Sequence, residues 1–456
     1  MASTDQRIDI FERLPVRKAV LTQILPAIFS QMIALLYNLA DTYFVGMLNE
    51  PAQTAAVTVA APAFVMTTAV ANLFGVGGAS LLAGYLGKKS PEKAKEVSAV
   101  AFWCGLGAAI LFSLVFFLLA EPILRLCGAG ADTYSLAYEY AKWVIVIGEP
   151  VTIMNALMAN LIRAEGAAFV ASIGVSLGGI LNIILDPLFV LPRFLSHGAV
   201  GAGMATAISN MASMAFFILY IRIKRGTTII TLKPDGLRYT ARHIRRILSV
   251  GFPSAAQYAL TVVAISAQMH FVSKYDTEAI AALGIIRKLD QLPLYFSIGV
   301  ANGLLPLLAY NHAAGNHRRR RESFRFGCLI SVCFALACLA GYEAFAPQLV
   351  GLFIDDAHTI SYGAQFLRLM VVAMPMMAFC YPMIIQFQAM GYVKESLICS
   401  ILRKGVLDIP LLFLMNHLLP LYGCMLVQPL VDMLSLIAAL CFYRRINREL
   451  SASCAG

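Results

Sequence analysis

Long apolar stretches recur roughly twelve times along the 456-residue chain, and each is long enough to cross a lipid bilayer. A membrane-spanning helix needs about 20 consecutive, mainly apolar residues. Hydrophobic residues make up 59% of the chain and charged residues only 13%. Because so little polar surface could not cover a water-soluble globule of this size, the sequence predicts an all-α polytopic membrane protein.

The boundaries of the expected spans follow the apolar runs. Several runs are longer than a straight crossing requires, so we expect tilted or kinked helices among them. The predicted spans are 19–46, 54–82, 97–120, 134–160, 168–191, 199–221, 244–273, 278–310, 326–346, 362–390, 396–419 and 421–443.

The basic residues are distributed unevenly between the two sides of these spans. The net charge is +10, and most of the 35 Lys and Arg residues fall on one side, in segments such as 88–95, 222–246 and 318–325. We assign Arg403 and Lys404 to a short loop on the same side. By the positive-inside rule, this side faces the cytoplasm, and both termini lie on it. We expect a multi-pass protein of the bacterial inner membrane. We therefore expect the partner of this basic protein to be the lipid bilayer and not nucleic acid. We also expect the protein to be a monomer.

The two halves of the chain repeat one plan. With Pro26 set opposite Pro253, ILPAIFSQMIALLYNLADTYFVG aligns with VGFPSAAQYALTVVAISAQMHFVS, and later segments follow in the same order. We predict two pseudo-symmetric six-helix lobes, 1–225 and 244–456, joined by a cytoplasmic linker at 226–243. Parallel repeats of this kind place a substrate cleft between the halves of transporters. Each proline removes a helical hydrogen bond and is either a hinge or a static kink.

Two acidic residues lie inside spans of the first half, where hydrocarbon makes a charge costly. Asp41 and Asp186 both fall roughly 10 Å below the predicted outer end, at a rise of 1.5 Å per helical residue. Tyr37 precedes Asp41 by four residues and Asn182 precedes Asp186 by four, so each shares a helix face with its acid. The two carboxyl groups are expected to meet inside one bundle.

Such a group of oxygen and amide ligands, with Thr206 from the sixth span, allows two kinds of chemistry. It can hold Na⁺, a hard cation that prefers oxygen ligands. Alternatively, one carboxyl group keeps a proton, because burial and a second negative charge both favour its neutral form. A purely architectural role, in which Asp186 caps a kink before Pro187 and Asp41 binds a backbone amide, is the alternative to both.

The second half carries its charges differently. The position opposite Asp41 is Gln268, and the seventh and tenth spans contain no acidic residue. Arg287, Lys288, Asp290 and Asp408 do lie within spans of this half. They form either a buried ion-paired cluster with an architectural role or a group that contacts substrate or couples the two lobes.

A substrate cleft requires adaptable apolar walls with a few polar groups. Methionine-rich segments suit such surfaces because the side chain is flexible and polarisable, although ordinary packing also uses them. We expect Asp432 to attract cations to the cleft. The candidate cleft residues are Gln257, Gln268, Met377, Tyr381 and Asp432.

Several motifs together resemble the MATE (multidrug and toxic compound extrusion) transporters. They are NLADTYFVG, AGYLGKKSPEKA, LIRAEG and LNIILDPLFV, and LLPLLAYNHAAGN fits the MepA-like bacterial branch. The resemblance implies twelve helices in two bundles that exchange H⁺ or Na⁺ for organic cations and related amphiphiles. It also implies that Asp41, Asn182, Asp186 and Thr206 form the N-lobe cation site. Some branches have a second acidic site in the C-lobe, and this chain lacks it, so coupling is expected in the first half alone.

The expected function is therefore multidrug efflux by an antiporter that works by alternating access and needs no cofactor. The sequence has no GxxxxGK[ST] motif for ATP hydrolysis, and FGVGGAS lies inside a span, where glycines favour close helix packing. We do not expect an enzyme, because the paired acids lie within spans beside short outer loops. The alternative is a flippase for lipid-linked saccharides or lipids, which would be expected to cluster Arg or Lys in the first-half cleft.

Overall fold

The computed structural model describes residues 9–48, 50–193, 195–272 and 274–453, and every regular element in these ranges is helical. Asn49, in the predicted outer loop after the first span, and both chain termini lie outside the described residues. The helices are α1 Val16–Gly46, α2 Pro51–Gly87, α3 Pro91–Leu118, α4 Ala120–Leu126, α5 Ala131–Ala141, α6 Glu149–Ala164, α7 Ala168–Val190, α8 Gly198–Ile223, α9 Thr240–Val272, α10 Thr277–Ala313, α11 His317–Gly351, α12 Ala357–Val371, α13 Met374–Ala389, α14 Val393–Ile401, α15 Asp408–Leu418 and α16 Tyr422–Ser453.

Most of these helices can cross a bilayer. Within the described ranges, 9 helices are long and apolar enough to do so. Two pairs, α5 with α6 and α12 with α13, are each bent by 44° and would raise the number to 11 if each pair forms one span. The prediction of an all-helical polytopic membrane protein is confirmed.

The span predicted at 396–419 is a broken helix. A π-helical turn, Leu402–Val406, separates α14 from α15. Its backbone leaves the helical region at Lys404 (φ −138°, ψ 117°) and at Gly405 (φ 112°), a left-handed conformation that glycine adopts without strain. The carboxylate of Asp408 accepts a hydrogen bond from the Gly405 amide at 2.6 Å. Irregular backbone at membrane depth is tolerated where protein or a polar cavity surrounds it.

Glycines bring the two halves of the chain into backbone contact. A Cβ atom on Gly77 of α2 would overlap the carbonyl oxygen of Ile247 in α9, and one on Gly251 would overlap that of Leu73. The same arrangement joins α10 to α1, where a Cβ on Gly303 would lie 2.7 Å from the Cα of Ile24. Small residues at these crossings allow the helices to pack closely, as expected for the FGVGGAS segment.

These contacts lie in the first part of α1 and α9 and the last part of α2 and α10. They therefore close the molecule at one end of the bundle, the end at which α1 begins. The later part of α1 and the earlier part of α2 instead line a cavity. Pro26 and Pro253 lie inside α1 and α9, which run without interruption. Their role as hinges remains a prediction.

Replacing Gly251 with leucine should weaken the contact between the halves. The new side chain would have to displace the backbone of α2 at Leu73, and overpacking of this kind costs about 1–3 kcal/mol or more. We expect a lower thermal unfolding midpoint for the purified protein in detergent. The matched control is Gly107→Leu in α3, where a Cβ atom meets nothing within 4 Å. An equal midpoint for the two variants would contradict the proposed close packing.

Candidate functional site

A cavity of about 660 Å³ lies between the halves and is lined by residues from both. Four of the five candidate cleft residues, Gln257, Met377, Tyr381 and Asp432, are part of its lining. Gln268 is not. Its side chain donates a hydrogen bond to the carbonyl oxygen of Cys424 at 2.8 Å and accepts one from the guanidinium group of Arg287.

The predicted cation-site residues come together on three helices of the first half. Asn182 and Asp186 lie on α7, and Thr206 lies on α8. The amide nitrogen of Asn182 is 3.2 Å from Oδ1 of Asp186 and 3.2 Å from Oγ1 of Thr206, so it links the two side chains. A Cβ atom on Gly179 would lie 3.2 Å from the ring of Tyr37. The glycine thus allows α7 to approach α1, which carries Tyr37 and Asp41.

Asp41 completes the group from α1. Tyr37, Asp41 and Tyr140 line the same cavity, and Asp41 lies near enough to Asp186 for a charge on one carboxyl group to influence the other. Asp41, Asn182 and Thr206 line the cavity, whereas Asp186 is fully buried behind them. The site therefore reaches from the cavity wall into the interior of the first bundle.

Three oxygen atoms of this site lack hydrogen-bond donors. They are Oδ1 of Asp41, Oδ2 of Asp186 and Oδ1 of Asn182, all buried and without a partner in the part of the chain that the structure describes. Neither carboxylate binds a backbone amide there, which argues against the purely architectural alternative. A buried acceptor without a donor is costly, and either a proton or a small cation would satisfy these oxygens. The residues fit both candidate coupling ions.

Sequence reasoning missed two polar residues in the first half. Tyr140, on α5, contributes to the cavity lining beside Asp41. Glu149 is fully buried at the bend between α5 and α6, and neither of its carboxylate oxygens has a hydrogen-bond partner among the described residues. The signal for Glu149 was present, since it is an acid in the middle of the predicted span 134–160.

Arg403 and Lys404 are misplaced in the sequence analysis. We assigned them to a cytoplasmic loop, but both line the cavity at the helix break between α14 and α15. Arg403 is 1% exposed, and its Nε forms an ion pair with Oδ1 of Asp432 at 3.0 Å. The guanidinium group also stacks over the ring of Tyr381, with 4.2 Å from Cζ to the ring centroid. The carboxylate expected to attract cations therefore already has a cationic partner.

The remaining charges of the second half surround this pair. Arg287 and Asp290, on α10, line the cavity, whereas Asp408 lies behind it in a small adjoining pocket. The Lys404 ammonium group donates to Oε1 of Gln428 at 2.6 Å. The predicted cluster of charges in this half therefore includes two basic residues that the sequence analysis left out.

The buried Arg403–Asp432 pair generates a prediction about stability. Arg403→Met should destabilise the protein by about 3–5 kcal/mol, because it leaves a buried carboxylate without its cation. The double variant Arg403→Met/Asp432→Leu should recover much of that loss. Thermal unfolding in detergent measures both.

Arg368→Met serves as the control, since Arg368 and Glu343 form a half-exposed pair at 3.8 Å that should contribute about 1 kcal/mol or less. Equal losses of stability in Arg403→Met and Arg368→Met would contradict the stabilising role of the buried ion pair.

Two helical halves, a central cavity and a buried carboxylate site together define a membrane protein of the transporter class. Comparison with known proteins gives the family. The MatE family model matches residues 26–188 and again residues 253–414. The chain belongs to the MatE family, and the double match agrees with the internal repeat.

The relatives and solved structures agree with this assignment. The chain is 29% identical to the multidrug export protein MepA of Staphylococcus saprophyticus over 96% of this chain and 95% of that protein. It is 28% identical to MepA of Staphylococcus aureus, with the same coverage. A solved structure of a multidrug resistance MATE family transporter in an outward-facing conformation has the same fold, with a TM-score of 0.91 and 24% identity over 98% of this chain and 99% of that one.

Proposed function

We propose that this protein is a multidrug efflux antiporter, which exchanges H⁺ or Na⁺ for cationic or amphiphilic organic compounds. The observation that carries the proposal is the set of buried oxygens on Asp41, Asn182 and Asp186 at the wall of a cavity between two halves. An ion bound there changes the charge of the wall that a substrate meets. The similarity to the MepA relatives, which are multidrug export proteins, supports the same conclusion.

In the proposed mechanism, the halves rock about the cavity so that it faces each side of the membrane in turn. A coupling ion reaches Asp41 through the cavity and then Asp186 behind it. Its binding neutralises the negative wall and favours release of a cationic substrate. Bending of α1 and α9 at Pro26 and Pro253 would let the closed end open. The protein works as a monomer in the inner membrane of a bacterium, with both termini in the cytoplasm.

Neutral variants of the two carboxylates test the proposal. Asp41→Asn and Asp186→Asn should each reduce the efflux of ethidium from loaded cells to near the background of cells without the transporter, because an amide cannot exchange a proton and is a weaker ligand for a cation. Efflux is followed by the fluorescence of the dye, at equal protein expression.

Asp235→Asn is the matched control, because Asp235 is an exposed carboxylate outside the bundle. It should transport like the wild type. Wild-type efflux by both Asp41→Asn and Asp186→Asn would overturn the assignment of the site.

A further inference from the structure

The first helix of each half turns one face away from the central cavity. In α9, Gln257 and Thr261 line the cavity, and in α1, Ala34 and Asp41 do so. Successive residues of a helix are rotated by about 100°, which places these side chains roughly opposite Phe252 in α9 and Leu25 in α1. Leu25 is 55% exposed and Phe252 is 51% exposed. In a protein that spans a bilayer, these outward faces meet lipid.

The two outward faces carry the same pattern of three exposed residues. A basic residue is followed after four residues by a hydroxyl group and after seven by a large apolar side chain, so that all three share one face. In α1 they are Lys18, Thr22 and Leu25, and in α9 they are Arg245, Ser249 and Phe252. The alignment that sets Pro26 opposite Pro253 pairs these residues one by one. We call each set an outer triplet.

The basic residue of each outer triplet has no acidic partner. The stretches 13–40 and 236–275, which contain the triplets, have no Asp or Glu. Among the described residues, neither Lys18 nor Arg245 forms an ion pair with a carboxylate. Both side chains are exposed, so their charges are accessible to an anion from outside the protein.

The spacing within an outer triplet matches the boundary between headgroups and acyl chains. Seven residues of helix separate Lys18 from Leu25 and Arg245 from Phe252, a distance of about 10 Å along the axis. The headgroup region on each side of a bilayer is about 5–8 Å thick, and long basic side chains extend towards it. An apolar residue in contact with the upper part of an acyl chain therefore places the basic group at the level of the phosphates.

We propose that each outer triplet binds one anionic phospholipid. The phosphate lies beside Lys18 or Arg245, and an acyl chain packs along Leu25 or Phe252. A lipid fits the triplet better than a soluble phosphate compound, because only a lipid also covers the apolar residue. A headgroup with net negative charge is favoured over phosphatidylcholine, whose quaternary ammonium group would approach a basic side chain. This inference does not depend on the proposed efflux function.

Native mass spectrometry of the purified full chain tests the inference. Phosphatidylglycerol and phosphatidylcholine with identical acyl chains are titrated separately into the protein in detergent, and the stepwise binding constants are measured. We expect the wild type to bind two molecules of phosphatidylglycerol more tightly than phosphatidylcholine. Lys18→Gln and Arg245→Gln should each weaken one of these two steps by about fivefold, and the double variant should weaken both.

Three further variants separate the outer triplets from surface charge in general. Lys18→Arg and Arg245→Lys keep the charge and should keep the wild-type affinities. Lys93→Gln removes an exposed lysine of α3, but Val97 and Val100, four and seven residues further on, are buried. No acyl chain can pack below Lys93, so this variant should bind phosphatidylglycerol like the wild type.

Unchanged affinity for phosphatidylglycerol in both Lys18→Gln and Arg245→Gln would overturn the inference, as would equal affinity of the wild type for the two lipids. An equal loss of affinity in Lys93→Gln would also overturn it, because the attraction would then depend on total charge and not on the outer triplets.

Discussion

A charge inside a bilayer must be matched by another charge, by hydrogen bonds or by water, because hydrocarbon supplies none of these. This constraint organises the whole interior of the protein. In the first half, Asn182 donates a hydrogen bond to Asp186, and buried oxygens on Asp41, Asn182 and Asp186 have no donor in the part of the chain that the structure describes. In the second half, Arg403 and Asp432 form a buried ion pair, and Nη1 of Arg403 and Nε of Arg287 have no acceptor among the described residues. The unmatched groups of the first half are oxygens of carboxyl and amide groups, which suits that half to take up and release a cation.

Packing decides where the cavity lies. Glycines bring α2 against α9 and α1 against α10 at one end, where a side chain as small as alanine would strike the backbone of the neighbouring helix. The helices diverge beyond these crossings, and the space between them receives polar side chains from both halves. A rocking motion would have to separate these close crossings, which makes them the natural place for control of access to the cavity.

Much of the fold could be predicted from the sequence. The lengths of the apolar runs indicate the membrane spans, and the internal repeat indicates two similar halves. The grouping of Asn182, Asp186 and Thr206 was predictable from helical spacing together with the family resemblance. The position of Arg403 and Lys404 at the cavity was not, because both lie near the start of the predicted eleventh span and resemble loop residues. Their position depends on the conformation of Gly405, which no apolar pattern records. Glu149 was missed although its position inside a span marked it in the same way as Asp41.

Reciprocal coupling tests the central claim most directly. If ion and substrate share one transport cycle, a substrate gradient must move the ion in the opposite direction even when no ion gradient exists. Ethidium loaded on one side of proteoliposomes should therefore drive a counterflow of protons or of sodium, detected by a trapped pH dye or by radioactive sodium. The account predicts this flux for the wild type and its loss in Asp41→Asn. Ethidium that crosses through the wild-type protein without either ion moving would contradict it.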